Sequence, residues 1–378
     1  MKIALNALQV RGAKSGVGHY IACLLEALLD VDTTNAYLTF ASPYNYFNYQ
    51  FQSPRYQLEI WGSRSKRKTI RLLYEYAFLP RAVRKHNVDL FHGPSNLLPL
   101  RKVVPYVLTI HDMSYFVDPR RYTRTKVMYW HAVSRRSAKL ADYIITDSDY
   151  SKQDIIRYLD YPSDRIRVIA MAAHPRFRPI LNHVALEEFR ARYGLEGPYA
   201  LCVGTLEPGK NLFRVVRAFA QLRNQGAHEY HLVLVGDKGW LYQDIFAEVR
   251  QLGLEKEVHA LGHIPDDDLP LAYNCAELFV FPSLNEGFGL PVLEAMACGV
   301  PVVTSNCSAL PEVAGDAACL VDPYDERAIA QAMQSVLSDT GKREELIQKG
   351  LRRSAMFSWE RTARETLEVY EAVAQERR

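Results

Sequence analysis

The stretch LFVFPSLNEGFGLPVLEAMACGVPVV, residues 278–303, passes from an apolar run through a glycine-rich loop and a short helical pattern into a second apolar run. Short Val/Leu/Phe runs joined through a helix mark parallel strands buried on both faces. Pro291 suits the first turn of the helix and Gly299 its end, which puts Glu286 in the loop and Glu294 in the helix's first turns. The loop then lies at the C-terminal edge of a parallel sheet. Gly287 and Gly289 let backbone N–H groups come close to a ligand there, and the helix start adds unsatisfied donors and a positive dipole end. Such a site suits a diphosphate. Either glutamate alone is more simply a solvated or dipole-complementing carboxylate; the pair in this setting favours a ligand site.

Working outward, the same alternation of apolar runs and amphipathic stretches fills the chain, the pattern of an α/β protein with parallel sheets. Strands are expected at Lys2–Asn6, Val88–His92, Val103–Ile110, Tyr143–Thr146 and Arg167–Ile169, and again at Tyr199–Val203, His231–Val235, Val258–Leu261, Leu278–Phe281 and Val300–Thr304. The two series imply two sheets, and 378 residues suit two Rossmann-like domains facing each other across a cleft. Pro175 and Pro179 interrupt AMAAHPRFRPILNH, so a hinge is expected near residues 171–184. The domains are then 1–172 and 173–356, with residues 357–378 completing the first through a final helix carrying Trp359, Leu367, Val369, Tyr370 and Val373 as an apolar stripe.

Composition narrows the function classes. The opening MKIALNALQVRG is too short an apolar run for a signal segment, and no window reaches the ~18 apolar residues a spanning helix needs. Six cysteines stand singly in apolar stretches without metal-ligand spacing, which favours reduced thiols. A cytoplasmic protein is expected. The net charge of +3 hides an asymmetry: residues 1–172 hold 25 Lys and Arg against 14 Asp and Glu, and the remainder 21 against 29. A basic N-terminal half attracts anions, whether a lipid surface, a phosphorylated acceptor or nucleic acid; no nucleic-acid module accompanies it.

Three further positions can carry chemistry. Lys210 follows a strand and opens a helix in GTLEPGKN, where an ammonium could balance a diphosphate, though a lone Lys at a helix start is usually solvated. His111 ends the run VVPYVLTI at a strand's C-terminal edge, with Asp112 as the expected orienter. Gly16 and Gly18, in RGAKSGVGHY, could bring backbone donors toward phosphates from the first domain, or simply form a tight turn; neither G-x-G-x-x-G nor GK[ST] is present. Asp266, Asp267 and Asp268 imitate a metal-binding acidic triplet but read better as a helix start after Pro265, so no metal is expected.

Taken in order, GVGHY, LTIHD, TDSDYSKQDI, GTLEPGKN, EGFGLPVLEAMACGVPVV and FSWERTARETLEVY resemble the retaining glycosyltransferases of GT-B fold, specifically glycosyltransferase family 4 in its bacterial mannosyltransferase-like branch. Glu286 and Glu294 have the seven-residue separation of that family's glutamate pair. The resemblance implies that Glu294 binds the donor ribose, that Glu286 lies near the hydroxyls of the transferred sugar, that Lys210 meets the diphosphate and that His111 approaches the sugar. It also implies donor contacts from Gly16, Gly18, Thr205, Gly236, Ile264, Gly287, Phe288, Gly289 and Leu290. Many relatives carry an arginine where Thr205 or Gly209 stands; here neither is basic, leaving Lys210 and backbone amides, or an arginine from elsewhere, to meet the diphosphate.

The donor this branch suggests first is GDP-mannose, with UDP-glucose second; base choice depends on the surroundings of Gly236, His263 and Ile264. The acceptor, a glycan or lipid-linked sugar, falls to the basic first domain. There RSKRKTIRLLYEYAFLPRAVRK and the aromatics Tyr44, Tyr46, Phe47, Tyr49 and Phe51 could form a face peripheral to an anionic inner membrane surface, or an ordinary helix with snorkelling cations. The main alternative activity is a sugar-nucleotide-binding subunit with weak turnover.

Overall fold

The structure is a computed structural model describing residues 1–8, 16–61 and 74–376 of the chain. It divides into two compact units, Met1–Met171 with Ser358–Arg378, and Ala172–Phe357.

In the first unit the described strands are β1 (Lys2–Asn6), β2 (Ala36–Ala41), β3 (Tyr56–Ile60), β4 (Leu90–Gly93), β5 (Tyr106–Thr109), β6 (Tyr143–Thr146) and β7 (Ile166–Val168). They form one parallel sheet in the order β3-β2-β1-β4-β5-β6-β7. The second unit holds β8 (Tyr199–Val203), β9 (His231–Val235), β10 (Val258–Gly262), β11 (Leu278–Phe281), β12 (Val302–Ser305) and β13 (Cys319–Val321), parallel in the order β10-β9-β8-β11-β12-β13. Both are doubly wound sheets whose order reverses once, between β1 and β4 and between β8 and β11, and ligands of such sheets bind beyond the strand ends at that reversal.

The second unit shows how sequence makes the layers. Helix Leu212–Asn224 buries Leu212, Val215, Val216, Phe219 and Leu222 on one face, the spacing of a helix that covers a sheet. Helix Glu326–Ser338 does the same with Ile329, Ala330, Met333, Val336 and Leu337, and Asp325 caps it by accepting the Arg327 and Ala328 N–H groups. These side chains interlock with Leu232, Leu234, Val280 and Val303 from the strands in one apolar core.

Helix Trp359–Gln375 belongs to the first unit and packs against helix Gly16–Val31. Its inward face is more than the expected apolar stripe. Val369, Tyr370 and Val373 are buried, but so are Thr362, Ala363 and Thr366, whereas Leu367 is only half-buried. Thr362 and Thr366 hide their hydroxyls by donating to Ala170 O and Thr362 O, each at 2.7 Å.

Five strands form with the bounds expected from sequence, while β2, β3 and β13 have no counterpart among the expected ones. β3 is an edge strand with mixed burial, and β13 is a three-residue edge strand, too short to print a period. Of the basic stretch 64–85, residues 64–73 lie outside the described residues. In the remainder, Leu79, Ala82 and Val83 sit in the first unit's core, so this helix presents its apolar face inward. Of the five clustered aromatics, Tyr49 is buried, Phe51 packs edge-on against Tyr56, Tyr46 is half-buried with its ring edge-on to Phe47, and Tyr44 and Phe47 are exposed.

Candidate functional site

In the second unit the loops after β8 and β11 meet at the reversal of strand order. The first leaves β8 at Gly204, runs through the short turn Pro208–Lys210, and enters helix Leu212–Asn224 through Asn211, whose backbone is left-handed with φ 60°. Asn211 is buried, and its side-chain amide donates to Pro282 O at 3.0 Å and Pro323 O at 2.6 Å, which ties the two loops together. Gly209 O accepts the Leu284 N–H at 2.9 Å, and Ser283 Oγ lies at the same distance from it.

This clamp sets the charged pair. Lys210 Nζ donates to Glu286 Oε1 at 2.5 Å, the same oxygen that accepts the Ser283 hydroxyl at 2.5 Å, and the ammonium lies 5.0 Å from the centre of the Phe281 ring. Both side chains are partly exposed, at 21% and 16%, so the pair sits at the surface of the site, open to a ligand. Ser283, three residues before Glu286 and itself held through its carbonyl by Ser305 Oγ, was not among the expected site residues. A hydroxyl in the same glycine-rich loop is the signal that could have marked it.

The helix carrying Glu294 runs Leu290–Ala297, with Pro291 in its first turn and Gly289 before it at φ 115°. Glycine is favoured there by conformation, and a Cβ would stand 2.6 Å from Leu310 Cδ2, which would have to move aside. Phe288 is buried with its ring edge-on to Phe357, and Leu290 is half-buried. Glu294 Oε2 accepts the Tyr273 hydroxyl at 2.9 Å. Burial pushes the Glu294 carboxyl up to about 7, against the opposing pull of the Tyr273 hydrogen bond and the Arg176 charge.

The neighbouring strand ends close the site. Gly204, at φ 143°, and Gly236, at φ 144°, lie so close that a Cβ on Gly236 would fall 2.1 Å from Gly204 O. Thr205 is exposed with its methyl against Gly239, while Ile264 is buried beside exposed His263. Arg214, in the first turn of helix Leu212–Asn224, is engaged with Asn211 Oδ1 at 2.9 Å and with the Tyr324 ring.

The acidic triplet leads into a helix, as expected, with Asp268 at its N-cap position. Helix Leu269–Asn274 begins after it, with no capping bond from Asp268. Asp268 instead accepts from Arg192 at 3.0 Å and Tyr193 at 2.7 Å, and Arg176 lies within 4 Å of Asp266 and Asp267. Besides standing at the N-terminal end of that helix, the carboxylates have cations and a phenol as partners, which the sequence reading did not foresee. No group of three or more His, Cys, Asp or Glu placed to hold a metal occurs among the described residues.

In the first unit His111 follows β5, and its orienter is Asp147, not Asp112. Thr109 pairs with Ile145 across β5 and β6, so two residues further on His111 stands opposite Asp147. His111 Nδ1 is 2.7 Å from Asp147 Oδ2, and Nε2 is 3.1 Å from Pro94 O. Asp112 caps a turn, accepting the Ser114 N–H at 2.8 Å and hydroxyl at 2.6 Å. A wider view of register would have found Asp147, since it follows its strand as His111 follows the neighbouring one.

Gly16 and Gly18 stand in the first turn of helix Gly16–Val31, Gly16 exposed and Gly18 buried. They are helical rather than part of a loop, and residues 11–15 of the segment lie outside the described residues. No helix among the described residues is long and apolar enough to cross a membrane.

Comparison with known proteins agrees with this architecture. Residues 14–173 match the family described as Glycosyltransferase Family 4, and residues 187–353 the one described as Glycosyl transferases group 1. The O-antigen chain mannosyltransferase B of Escherichia coli is 38% identical over 289 residues, 76% of this chain and 76% of that one. The serotype-specific mannosyltransferase WbdA of Escherichia coli is 33% identical over 266 residues, 68% of this chain but 32% of that longer protein. Among solved structures, HepE of Anabaena in complex with UDP and glucose superposes with a TM-score of 0.77 over 98% of this chain and 99% of that one at 19% identity, a likeness of fold. With two parallel-sheet Rossmann-like units and homology along both, the chain is a glycosyltransferase of GT-B fold belonging to glycosyltransferase family 4, in its bacterial mannosyltransferase-like branch.

Proposed function

We propose that this glycosyltransferase moves mannose from GDP-mannose to a sugar or lipid-linked acceptor in glycan or polysaccharide assembly, with retention of anomeric configuration and without a metal. The observation that carries the reading is the Lys210–Glu286–Ser283 cluster on glycine-rich loops at the reversal of strand order, with Glu294 on the helix that follows the second loop. The choice of mannose leans on what the Escherichia coli relatives are named for.

Transfer separates a nucleoside diphosphate from an oxocarbenium-like carbon, so the site must meet charge that appears on the departing phosphate. In this reading Lys210 and the loop amides from Gly287 to Leu290 meet it, which is the ground for dispensing with a metal. Donor binding draws the ammonium from Glu286 toward the phosphates and leaves the carboxylate to accept sugar hydroxyls. Glu294 accepts the ribose hydroxyls, and Thr205, Gly236 and Ile264 line the nucleotide's path. The leaving phosphate takes the acceptor's proton on the same face of the sugar, so Glu286 orients and does not attack, unlike the nucleophile of a retaining glycosidase.

In this reading the first unit takes the acceptor, and His111 is its residue for the transferred sugar. Peripheral contact with an anionic cytoplasmic membrane surface is supported by that unit's basic balance and by exposed Tyr44 and Phe47.

A panel of nucleotide sugars with EDTA present tests the reading. Release of nucleoside diphosphate and thermal shift are followed for the wild type and Glu294→Ala. GDP-mannose should both stabilise and turn over, with stabilisation lost in the variant; a response to UDP-glucose alone overturns the donor, and binding without turnover in the presence of acceptor glycans points to a binding subunit.

A further inference from the structure

The first unit buries two histidines whose partners differ in kind. His92 is fully buried between two hydroxyls, Tyr370 OH at Nδ1 and Thr109 Oγ1 at Nε2, both at 2.7 Å. A hydroxyl can donate or accept, so a neutral imidazole satisfies both contacts. Burial, followed by the neighbouring His111 charge, depresses His92 to about 3. His111 instead meets a carboxylate and a peptide carbonyl, two acceptors. A neutral imidazole carries one N–H and leaves one of these contacts as a pair of facing lone pairs; an imidazolium satisfies both.

We infer that Asp147 is a positioning residue that keeps His111 as an imidazolium, with Nδ1–H fixed on the buried carboxylate and Nε2–H, on the longer contact to Pro94 O, available to a bound donor oxygen. The Asp147 side chain is 1% exposed, and its other oxygen, Oδ1, is buried without a hydrogen-bond partner among the described residues, so the imidazolium is the group that offsets its charge. Burial lowers the His111 pKa, but the Asp147 charge and hydrogen bond, the Pro94 carbonyl and the Asp112 charge together outweigh it, for a net rise; burial also raises the Asp147 carboxyl, against the opposing pull of His111. The other titratable groups around the ring reinforce the cation or stand aside. Asp112 adds negative charge, Asp154 lies on the following helix, and Tyr20, whose ring is edge-on to His111 at 4.7 Å, is kept neutral by burial. An imidazolium held this way acts as a cationic hydrogen-bond donor and cannot be a general base. That catalytic use rests on the proposed donor chemistry; the charge state does not.

The test is nitrogen-detected NMR of histidine-labelled, donor-free protein from pH 6 to 9, with the His111 signals identified by their loss in His111→Gln. In the wild type both ring nitrogens should be protonated at pH 7.5, the proton leaving only as pH rises through the elevated pKa. Asp147→Asn, whose amide can donate to Nδ1, should give a neutral ring with the proton on Nε2, whereas Asp112→Asn should keep the cation. Turnover in Asp147→Asn should fall about tenfold or more in kcat with KM little changed. A neutral His111 in the wild type, or a cation that survives Asp147→Asn, overturns the inference even if that variant folds poorly, because the wild-type spectrum alone reports the charge. Failure of the donor assignment would leave the spectra as described and remove only the kinetic effect.

Discussion

Donor affinity should depend on pH through Glu294. A carboxyl carried from its ordinary 4.5 to about 7 is about 90% protonated at pH 6 and about 10% at pH 8. If ribose hydroxyls donate to the ionised carboxylate, binding at pH 6 must first remove that proton. Affinity should then weaken about tenfold between pH 8 and pH 6, about 1.4 kcal/mol, with about 0.9 proton released per donor bound at pH 6. Calorimetric titration in buffers of different ionisation enthalpy measures both quantities. A nucleotide sugar is the right ligand, because its esterified diphosphate stays fully ionised across this range. Glu294→Gln should bind weakly and without pH dependence. Tyr273→Phe removes a hydrogen bond that lowers the carboxyl's pKa, so its loss of affinity should begin at higher pH. The folded-state pKa lies above the unfolded one, so Glu294 contributes stability that is present below about 4.5 and lost as pH rises through about 7. Glu294→Gln should therefore be the more heat-stable protein at pH 8 even though it has lost donor affinity. Equal affinity at pH 6 and 8 with no proton exchange, or a pH dependence that persists in Glu294→Gln, would refute the reasoning.

Lys210→Ala removes the cation proposed for the leaving diphosphate and leaves Glu286 with Ser283, so kcat should fall about 100-fold, or ~3 kcal/mol, with the melting temperature little changed; turnover within threefold of wild type would rule out that role. Gly236→Ala sets a Cβ 2.1 Å from Gly204 O at a φ of 144°, which should cost at least about 3 kcal/mol and abolish donor-induced thermal stabilisation. Asn211→Ala strands two carbonyls, Pro282 O and Pro323 O, and should lower the stability of the second unit by about 2–4 kcal/mol in denaturant unfolding. A variant that unfolds with the wild type would mean that the clamp between the two loops carries no energy.

What could be read without coordinates was what short-range physics writes into consecutive residues. Tyr199–Val203, His231–Val235 and Leu278–Phe281 announce themselves because strands buried on both faces must be apolar throughout, whereas edge strands such as β3 and β13 are under no such demand. The loop 286–289 was legible because glycine, proline and glutamate each have a local reason to stand where they do. Side-chain partners were less legible, since they are set by register between strands distant in sequence. Adjacent in sequence, Asp112 was the natural orienter for His111; the parallel pairing of β5 with β6 brought Asp147 there instead and left Asp112 to cap its own turn. In the same way Asp268 was legible as a helix start, but its partners Arg192 and Tyr193, on a helix some 75 residues earlier, were not. The sequence by itself determined that there are two parallel sheets, ten of their thirteen strands and the glycine-rich loop, because backbone conformation and burial are local constraints. Only the tertiary structure decided which charges meet: Lys210 with Glu286, Tyr273 with Glu294 and Asp147 with His111, since such pairing costs nothing in local conformation and leaves no trace in the sequence around either partner.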